Sequence, residues 1–187
     1  MIRKLAQLSC LAVGFAAGPG ASLAVDCSQP QSVLDSFNAR AGRSSGGDQP
    51  VGYLSLQGVK GSATDAGFKD QIPVLFAQQF AVSSGKGVGA APDYFLVIPI
   101  DQSSPVLQQA VSTGTPFNNA TMTYVDAQRR ATSSDVLTTV RIVLNLQGTS
   151  YSRQYPRVAV IGLSFTKACW AYGSTKTCYD YTTGAKM

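Results

Sequence analysis

Histidine is absent from this chain, and all ten acidic residues are aspartate, so glutamate is absent as well. Without histidine, the serine and cysteine triads that need an imidazole base are excluded, as are histidine-ligated zinc sites. Without glutamate the chain loses a strong helix former, whereas valine, threonine and aromatic residues are plentiful. With 187 residues, the chain is predicted to form one mostly β domain.

The charge balance gives little reason to expect a nucleic-acid partner. The formal net charge is +5, and it falls to +3 if Arg3 and Lys4 are removed with the N-terminal segment. Such a weak positive bias does not predict nucleic-acid binding. Beyond the N-terminal segment no run is apolar enough to span a bilayer, so we expect no membrane contact once that segment is gone.

Residues 1–24 have the three-part pattern of a secretory signal peptide. Arg3 and Lys4 precede an apolar run of 13 residues, Leu5–Ala17, and a Gly-Pro-Gly triplet follows the run. Small residues stand three and one positions before the bond between Ala24 and Val25, where we predict cleavage. A membrane anchor is disfavoured because the apolar run is short and interrupted. The mature protein is therefore expected to be secreted or periplasmic.

We predict that the mature chain divides into a polar extension, residues 25–50, and a domain that occupies residues 51–187. Within the extension, Val33, Leu34 and Phe37 have helical spacing, which is compatible with a short amphipathic turn. We favour the simpler interpretation, in which the extension is a tether with one packing patch.

Hydrophobic patterns predict β-strands through most of the domain. Ile72–Val82 is predicted as a strand that Pro73 confines to a sheet edge at its start. Tyr94–Ile100 is apolar on both faces, which indicates a strand buried on both sides. In Val158–Tyr172 the apolar phase shifts around Gly162, so we predict one long strand with a bulge or bend at that glycine.

One short helix is predicted between two of these strands. Ser103 or Ser104 followed by Pro105 has the residue order of a helix start, and Gly114 is placed to end the helix.

The cysteine positions predict one disulfide but leave the state of Cys27 open. Cys169 and Cys178 are equidistant from Gly173-Ser174, a plausible type II′ turn, so the two side chains would face one another across a hairpin. The alternative is that both are buried small hydrophobes, and the expected export favours the disulfide. Cys27 is left over and is either free or joined to another chain.

The residue pattern gives no catalytic group, no cofactor-binding group and no metal ligand. Asp65 and Asp70 could act as a carboxylate pair, but aspartate is a common loop residue and no nucleophile accompanies them. Gly58–Ser62 places a lysine among glycines but lacks the spacing of a phosphate-binding loop. We therefore predict that the protein is not an enzyme and uses no cofactor.

Three blocks, in order, resemble the hemolysin-coregulated protein (Hcp) family, the tube protein of bacterial type VI secretion systems. They are YLSLQGVKGSATDAGFKDQIPV from Tyr53, SPVLQQAVSTG from Ser104 and RVAVIGLSFTKACWAY, which ends at Tyr172. The resemblance implies a small β-barrel of two packed sheets with one short flanking α-helix. It also implies hexameric rings that stack into a tube, are propelled from the cell and can carry effectors, with no chemistry of their own.

The resemblance and the loop composition together give candidate subunit contacts. A ring that stacks needs exposed loops or strand edges, which point to residues 58–70 and 83–93. The predicted contact residues are Gly58, Lys60, Gly61, Thr64, Asp65, Asp70 and Lys86. Other secretion-system components or effectors are possible partners. Because the signal peptide is unusual for a tube subunit, an exported Hcp-like binding or adhesin module is the alternative, and a hydrolase is a third, weaker one.

Overall fold

The computed structural model describes residues 30–41, 49–80 and 93–187. Within these ranges the chain forms two helices and ten strands. In order they are α1 Pro30–Ala41, β1 Gly52–Leu56, β2 Ile72–Val74, β3 Phe76–Phe80, β4 Asp93–Pro99, α2 Ser104–Thr113, β5 Phe117–Val125, β6 Ala131–Thr149, β7 Arg157–Ser164, β8 Lys167–Tyr172, β9 Thr175–Asp180 and β10 Ala185–Lys186.

The strands form two antiparallel sheets that pack against each other. Sheet A has the order β10-β9-β8-β6-β5-β1-β2, and sheet B has the order β3-β4-β7-β6. The 19-residue strand β6 belongs to both, because its first half pairs with β5 and β8 and its second half with β7. The chain also crosses between the sheets at Leu75, between β2 and β3. The predicted mostly β fold of two packed sheets is confirmed.

The main hydrophobic core lies between the two sheets, and α2 closes one side of it. Side chains from both sheets and from α2 are fully buried there, including Leu54, Ile72, Leu96, Ile98, Leu107, Met122, Leu137 and Ile161. Burying large apolar side chains stabilises a fold by roughly 1.5–3 kcal/mol each, so this cluster is the main source of stability.

Helix α2 forms where the sequence predicts it, although its start is held differently. Pro105 lies in the first turn, and Gly114 ends the helix with a left-handed φ of 64°. Ser103 precedes the helix but makes no side-chain cap. Instead, Asp101 Oδ1 accepts hydrogen bonds from the N–H and the hydroxyl of Ser103, at 2.8 and 2.5 Å. The start of the helix is therefore held by Asp101, two positions before Ser103.

Helix α1 forms a second layer on the outer face of sheet B, so the tether interpretation of this segment is wrong. Its apolar positions are buried, and Phe37 is only 2% exposed. They pack against sheet B and the crossing between the sheets, at Leu75, Val97, Val158 and Val160. This second cluster explains why the Tyr94–Ile100 segment is apolar on both faces. The division at residue 51 stays a prediction.

The predicted long strand at Val158–Tyr172 is two strands, β7 and β8, with a break between them. Gly162 itself carries no extra residue and stays in register with Phe95 of β4, but the β6–β7 register shifts directly beside it. Space for a side chain there is tight, since an added Cβ would lie 3.1 Å from Leu144 Cβ and 3.2 Å from the Phe95 ring. The register shift lies on β6 between Ile142 and Leu144, and it leaves Val143 57% exposed.

The segment predicted as the Ile72–Val82 strand divides at Leu75 into β2 and β3, because the chain changes sheets there. Strand β2 lies at the edge of sheet A, as Pro73 predicted.

Several predictions fall outside the described residues and stay predictions. They concern the signal peptide of residues 1–24 with its cleavage site between Ala24 and Val25, the thiol of Cys27, and the contact residue Lys86. In the described part of the chain, neither helix is long and apolar enough to cross a membrane.

Candidate subunit-contact site

Residues 58–70, here called the contact loop, join β1 to β2. The loop begins with a tight reversal in which the Val59 N–H donates to the Leu56 carbonyl at 3.0 Å. Gly58 has a φ of 80°, in the left-handed region where residues other than glycine are strained. The glycine at this position is therefore explained by the backbone geometry.

The contact loop is closed by its own backbone hydrogen bonds. The Gly61 N–H donates to the Asp70 carbonyl at 2.8 Å, and the Asp70 N–H donates to the Ala63 carbonyl at 3.0 Å. Gly61 lies so close to the start of β2 that an added Cβ would be 2.3 Å from the Gln71 carbonyl oxygen. The loop is thus a folded element with a fixed course and not a flexible connection.

The residues that enter α2 hold one side of the contact loop. Asp101 Oδ2 accepts the Ser62 N–H at 2.9 Å, and the Gln102 side-chain amide donates to the Gly61 carbonyl. Since Asp101 also organises the start of α2, one carboxylate links the loop to the helix. Ser62 and Asp101 are far apart in the sequence, so the sequence gave no indication of this contact.

Tyr53 holds the other side of the contact loop. It lies on the outward face of sheet A but is fully buried, because the Phe68 ring stacks on it at 4.3 Å. Its hydroxyl donates to Asp65 Oδ2 at 2.6 Å. Burial, and then the hydrogen bond to Asp65, raise the pKa of the Tyr53 phenol well above its ordinary value. The phenol therefore keeps its proton, and Asp65 has the structural role favoured above.

The predicted contact residues fall into two groups. Gly61 is buried and Asp65 is half-buried, and both serve the internal structure of the loop. The exposed members are Gly58, Lys60, Thr64 and Asp70. Any contact of this loop with another molecule would be made by the exposed group.

Sheet B has two free edges, which the sequence analysis did not identify. Among the described residues, β3 pairs only with β4, and β6 beyond Arg141 pairs only with β7. These edges lie at opposite ends of the sheet, and each carries backbone groups that another strand could pair with. These edges can be identified only from the order of strands in the sheet, which the folded structure gives and the sequence patterns do not.

The predicted hairpin and disulfide are confirmed. Cys169 and Cys178 are opposite one another in β8 and β9 and are bonded, with their Cα atoms 4.0 Å apart. The turn places Gly173 at a φ of 56°, as the first position of a type II′ turn requires. The disulfide therefore joins β9 to β8, next to the β10 edge of sheet A.

A buried polar cluster, which the sequence analysis missed, connects the two sheets. The hydroxyls of Tyr94 in β4 and Tyr124 in β5 lie 2.5 Å apart, and both approach Asp135 Oδ2 in β6, at 3.0 and 3.3 Å. Asp135 is only 7% exposed. Burial raises the pKa of the Asp135 carboxyl, although the two tyrosine hydrogen bonds lower it in part.

The raised pKa predicts a pH dependence of stability. Below the unfolded-state pKa, Asp135 is protonated in both states, and its contribution to stability is fully present. As the pH rises through the folded-state pKa, the buried carboxyl must ionise and that contribution is lost. We therefore expect Asp135→Asn to unfold at higher urea concentration than the wild type at pH 7, and the difference to shrink toward pH 4.

The matched control for this prediction is Asp126→Asn, on an exposed turn. Hydrogen bonds from the Arg130 backbone lower the pKa of Asp126, so its stabilising contribution is lost as the pH falls. Urea denaturation of both variants should cover about pH 2 to 8, on both sides of the ordinary aspartate pKa of about 4. The difference between Asp126→Asn and the wild type should disappear below that value, whereas the difference for Asp135→Asn should grow above it. A difference for Asp135→Asn that does not change with pH would contradict its assignment.

Metal binding finds no support in the described ranges, 30–41, 49–80 and 93–187. No group of three acidic, cysteine or histidine side chains in them could hold an ion.

The family described as "Type VI secretion system effector, Hcp" matches residues 53–172 of the chain. The chain belongs to this family. The match has the same limits as the sequence resemblance, from Tyr53 to Tyr172, and thereby confirms it. No match to the chain is found among curated proteins.

Solved Hcp structures share the fold. Hcp1 from Salmonella typhimurium is 18% identical with a TM-score of 0.65, and the match covers 73% of this chain and 97% of that one. A type VI secretion system effector from Yersinia pestis is 22% identical with a TM-score of 0.62, over 69% of this chain and 98% of that one. Hcp3 from Pseudomonas aeruginosa is 16% identical with a TM-score of 0.57, over 70% and 99%.

Three elements of this chain lie outside the matched Hcp residues. Helix α1 precedes them, and β9 and β10 follow them. The disulfide therefore joins a strand inside the Hcp match to a strand beyond it.

Proposed function

We propose that this protein is a structural, non-enzymatic Hcp-type subunit that is exported and closes into hexameric rings able to stack into a tube. Membership of the type VI secretion family supports a role in that system. The observation that carries the ring is the pair of free edges at opposite ends of sheet B. Effectors held in the ring lumen and other secretion-system components are the expected partners.

Pairing between the two edges would join copies head to tail. The four strands of sheet B alternate in direction, so β3 and β6 run in opposite directions at its two ends. When the β3 edge of one copy meets the β6 edge of the next, the antiparallel alternation continues across the contact. A head-to-tail contact of this kind gives a closed ring if its rotation closes.

The contact loop is suited to the second contact, between stacked rings. It is held on both sides, by Tyr53 and by the residues that enter α2, and its two ends carry Lys60 and Asp70 at exposed positions. A preorganised loop loses less conformational freedom on association than a flexible one, which favours repeated assembly. Opposite charges on the same loop also permit pairing between identical rings.

Negative-stain electron microscopy of the chain that starts at Val25 tests the proposal. We expect ring-shaped particles, and a mass close to that of a hexamer by light scattering. A chain that stays monomeric at high protein concentration would overturn the proposal and favour the exported binding module.

Proline at the β3 edge is expected to prevent ring formation. Gln78 and Gln79 are adjacent, so the N–H of one faces β4 and the N–H of the other faces away from the sheet. Proline removes a donor and blocks pairing on the side that its nitrogen faces. We expect one variant, Gln78→Pro or Gln79→Pro, to keep the thermal stability of the wild type and yet give only monomers. The other variant should lose thermal stability. Rings formed by the stable variant would contradict pairing through the β3 edge.

A further inference from the structure

Arg129 occupies a backbone position that favours glycine. It lies in the β5–β6 turn, where its N–H donates to the Asp126 carbonyl at 3.0 Å. Its φ of 62° lies in the left-handed region, where a turn of this kind usually has glycine. An arginine at such a position costs stability through its backbone, and contacts of its side chain can offset that cost.

The guanidinium of Arg129 contacts three groups around the base of β1. Nη1 donates to the Tyr53 hydroxyl at 2.7 Å and approaches the Pro50 carbonyl at 3.4 Å, and Nη2 donates to the Gln49 side chain. The guanidinium carbon also lies 5.8 Å from the centre of the Tyr53 ring. One side chain thus joins the β5–β6 turn, the residues that lead into β1, and β1 itself.

The contact to Tyr53 extends to the contact loop. The Tyr53 hydroxyl accepts from Arg129 and donates to Asp65, so one oxygen links the arginine to the loop carboxylate. The ring of the same tyrosine supports Phe68 at 4.3 Å. Asp65 and Phe68 are in turn connected by a backbone hydrogen bond of 2.8 Å. Loss of the arginine would remove the fixed partner that orients the phenol.

We propose that Arg129 is a positioning residue that holds the contact loop in its docked course by orienting Tyr53. Its role in assembly rests on the proposed function, since the exposed residues of the contact loop are the part expected to meet the next ring. The adjacent Arg130 provides a natural contrast. Its guanidinium pairs with Asp126 inside the turn at 2.8 Å and is largely exposed.

Amide hydrogen exchange on the Arg129→Gly variant tests the positioning step. Glycine suits the left-handed backbone, so the variant should fold with a melting temperature near that of the wild type. We expect the amides of Gly61, Phe68 and Asp70 to exchange about tenfold faster, as the loss of a hydrogen bond from a charged donor implies. Arg130→Gly, the matched control, should leave these amides unchanged. Unchanged exchange in Arg129→Gly would overturn the proposal.

A double-mutant cycle distinguishes this coupling from a general loss of stability. Tyr53→Phe keeps the ring that stacks on Phe68 but removes the hydroxyl between Arg129 and Asp65. If the arginine acts through this hydroxyl, the double variant should exchange no faster than the faster single variant. Additive acceleration would instead show that the two residues act separately, and it would overturn the relay through Tyr53.

The assembly step is measured separately on the same variants. Arg129→Gly should form fewer stacked rings than Arg130→Gly at equal concentration. Equal stacking together with faster exchange would overturn the link to assembly. If the wild type forms no rings at all, the proposed function fails, while the exchange data still decide whether Arg129 positions the loop.

Discussion

Truncation of Phe37 to alanine is expected to lower the free energy of unfolding by about 3–5 kcal/mol. The side chain is 2% exposed and belongs to the cluster that α1 forms with Val97, Val158 and Val160 on sheet B. Its removal would leave a cavity between the helix and the sheet, and an isolated 12-residue helix is only marginally stable in water. Urea denaturation monitored by circular dichroism measures the change.

The control for this prediction is Arg40→Ala, which changes an exposed residue of the same helix. That substitution should alter stability by less than about 0.5 kcal/mol. If Phe37→Ala had an equally small effect, the packing of α1 on sheet B would contribute little to the stability of the fold. A large effect would mean that a chain starting at residue 51 lacks part of its fold and exposes an apolar face of sheet B.

The parts of the fold that the sequence predicted are those with local causes. The α2 helix follows from Pro105 near its start and Gly114 at its end, which act within a few residues. The hairpin follows from two cysteines equidistant from a glycine turn, and the bond between Cys169 and Cys178 is present. Pro73 marked an edge strand because proline lacks the donor that a central strand needs.

The parts that the sequence could not predict have partners far along the chain. Three apolar residues at helical spacing are compatible with a loose turn or a helix. Packing against the outer face of sheet B stabilises the helix α1. The break between β7 and β8 depends on how β6 passes from one sheet to the other. The contact between Arg129 and Tyr53 has no local sequence pattern, because it spans 76 positions of the chain.

The candidate site was predicted as a segment but not as a structure. The resemblance located the contact loop, and the structure then separates its members by role. Gly61 and Asp65 hold the loop together, while Lys60, Thr64 and Asp70 remain exposed. A sequence block cannot make this distinction, because both roles select the same small and polar residues at reversals of the chain.

Replacing Gly61 with alanine is expected to detach the contact loop from the sheet and to abolish stacked rings. The new Cβ would lie 2.3 Å from the Gln71 carbonyl oxygen and 2.5 Å from the Ile72 Cα, and backbone atoms cannot rotate away as a side chain can. Relief therefore requires the loop to move, which breaks the Gly61 N–H bond to Asp70 and the amide contact from Gln102. We expect a loss of roughly 2–4 kcal/mol in stability.

Gly67→Ala is the matched control, since it makes the same chemical change six positions later in the same loop. Apart from its chain neighbours, no atom lies within 4 Å of a Cβ built at Gly67, so this variant should fold and assemble like the wild type. Urea denaturation compares the stabilities, and negative-stain microscopy compares the stacks. Normal stacking by a Gly61→Ala variant that has lost loop protection in hydrogen exchange would contradict a role of this loop in assembly. The structure has room for a Cβ at Gly67. If both glycine variants lost their stacks, the exposed surface around Gly67 would therefore not tolerate an added methyl group.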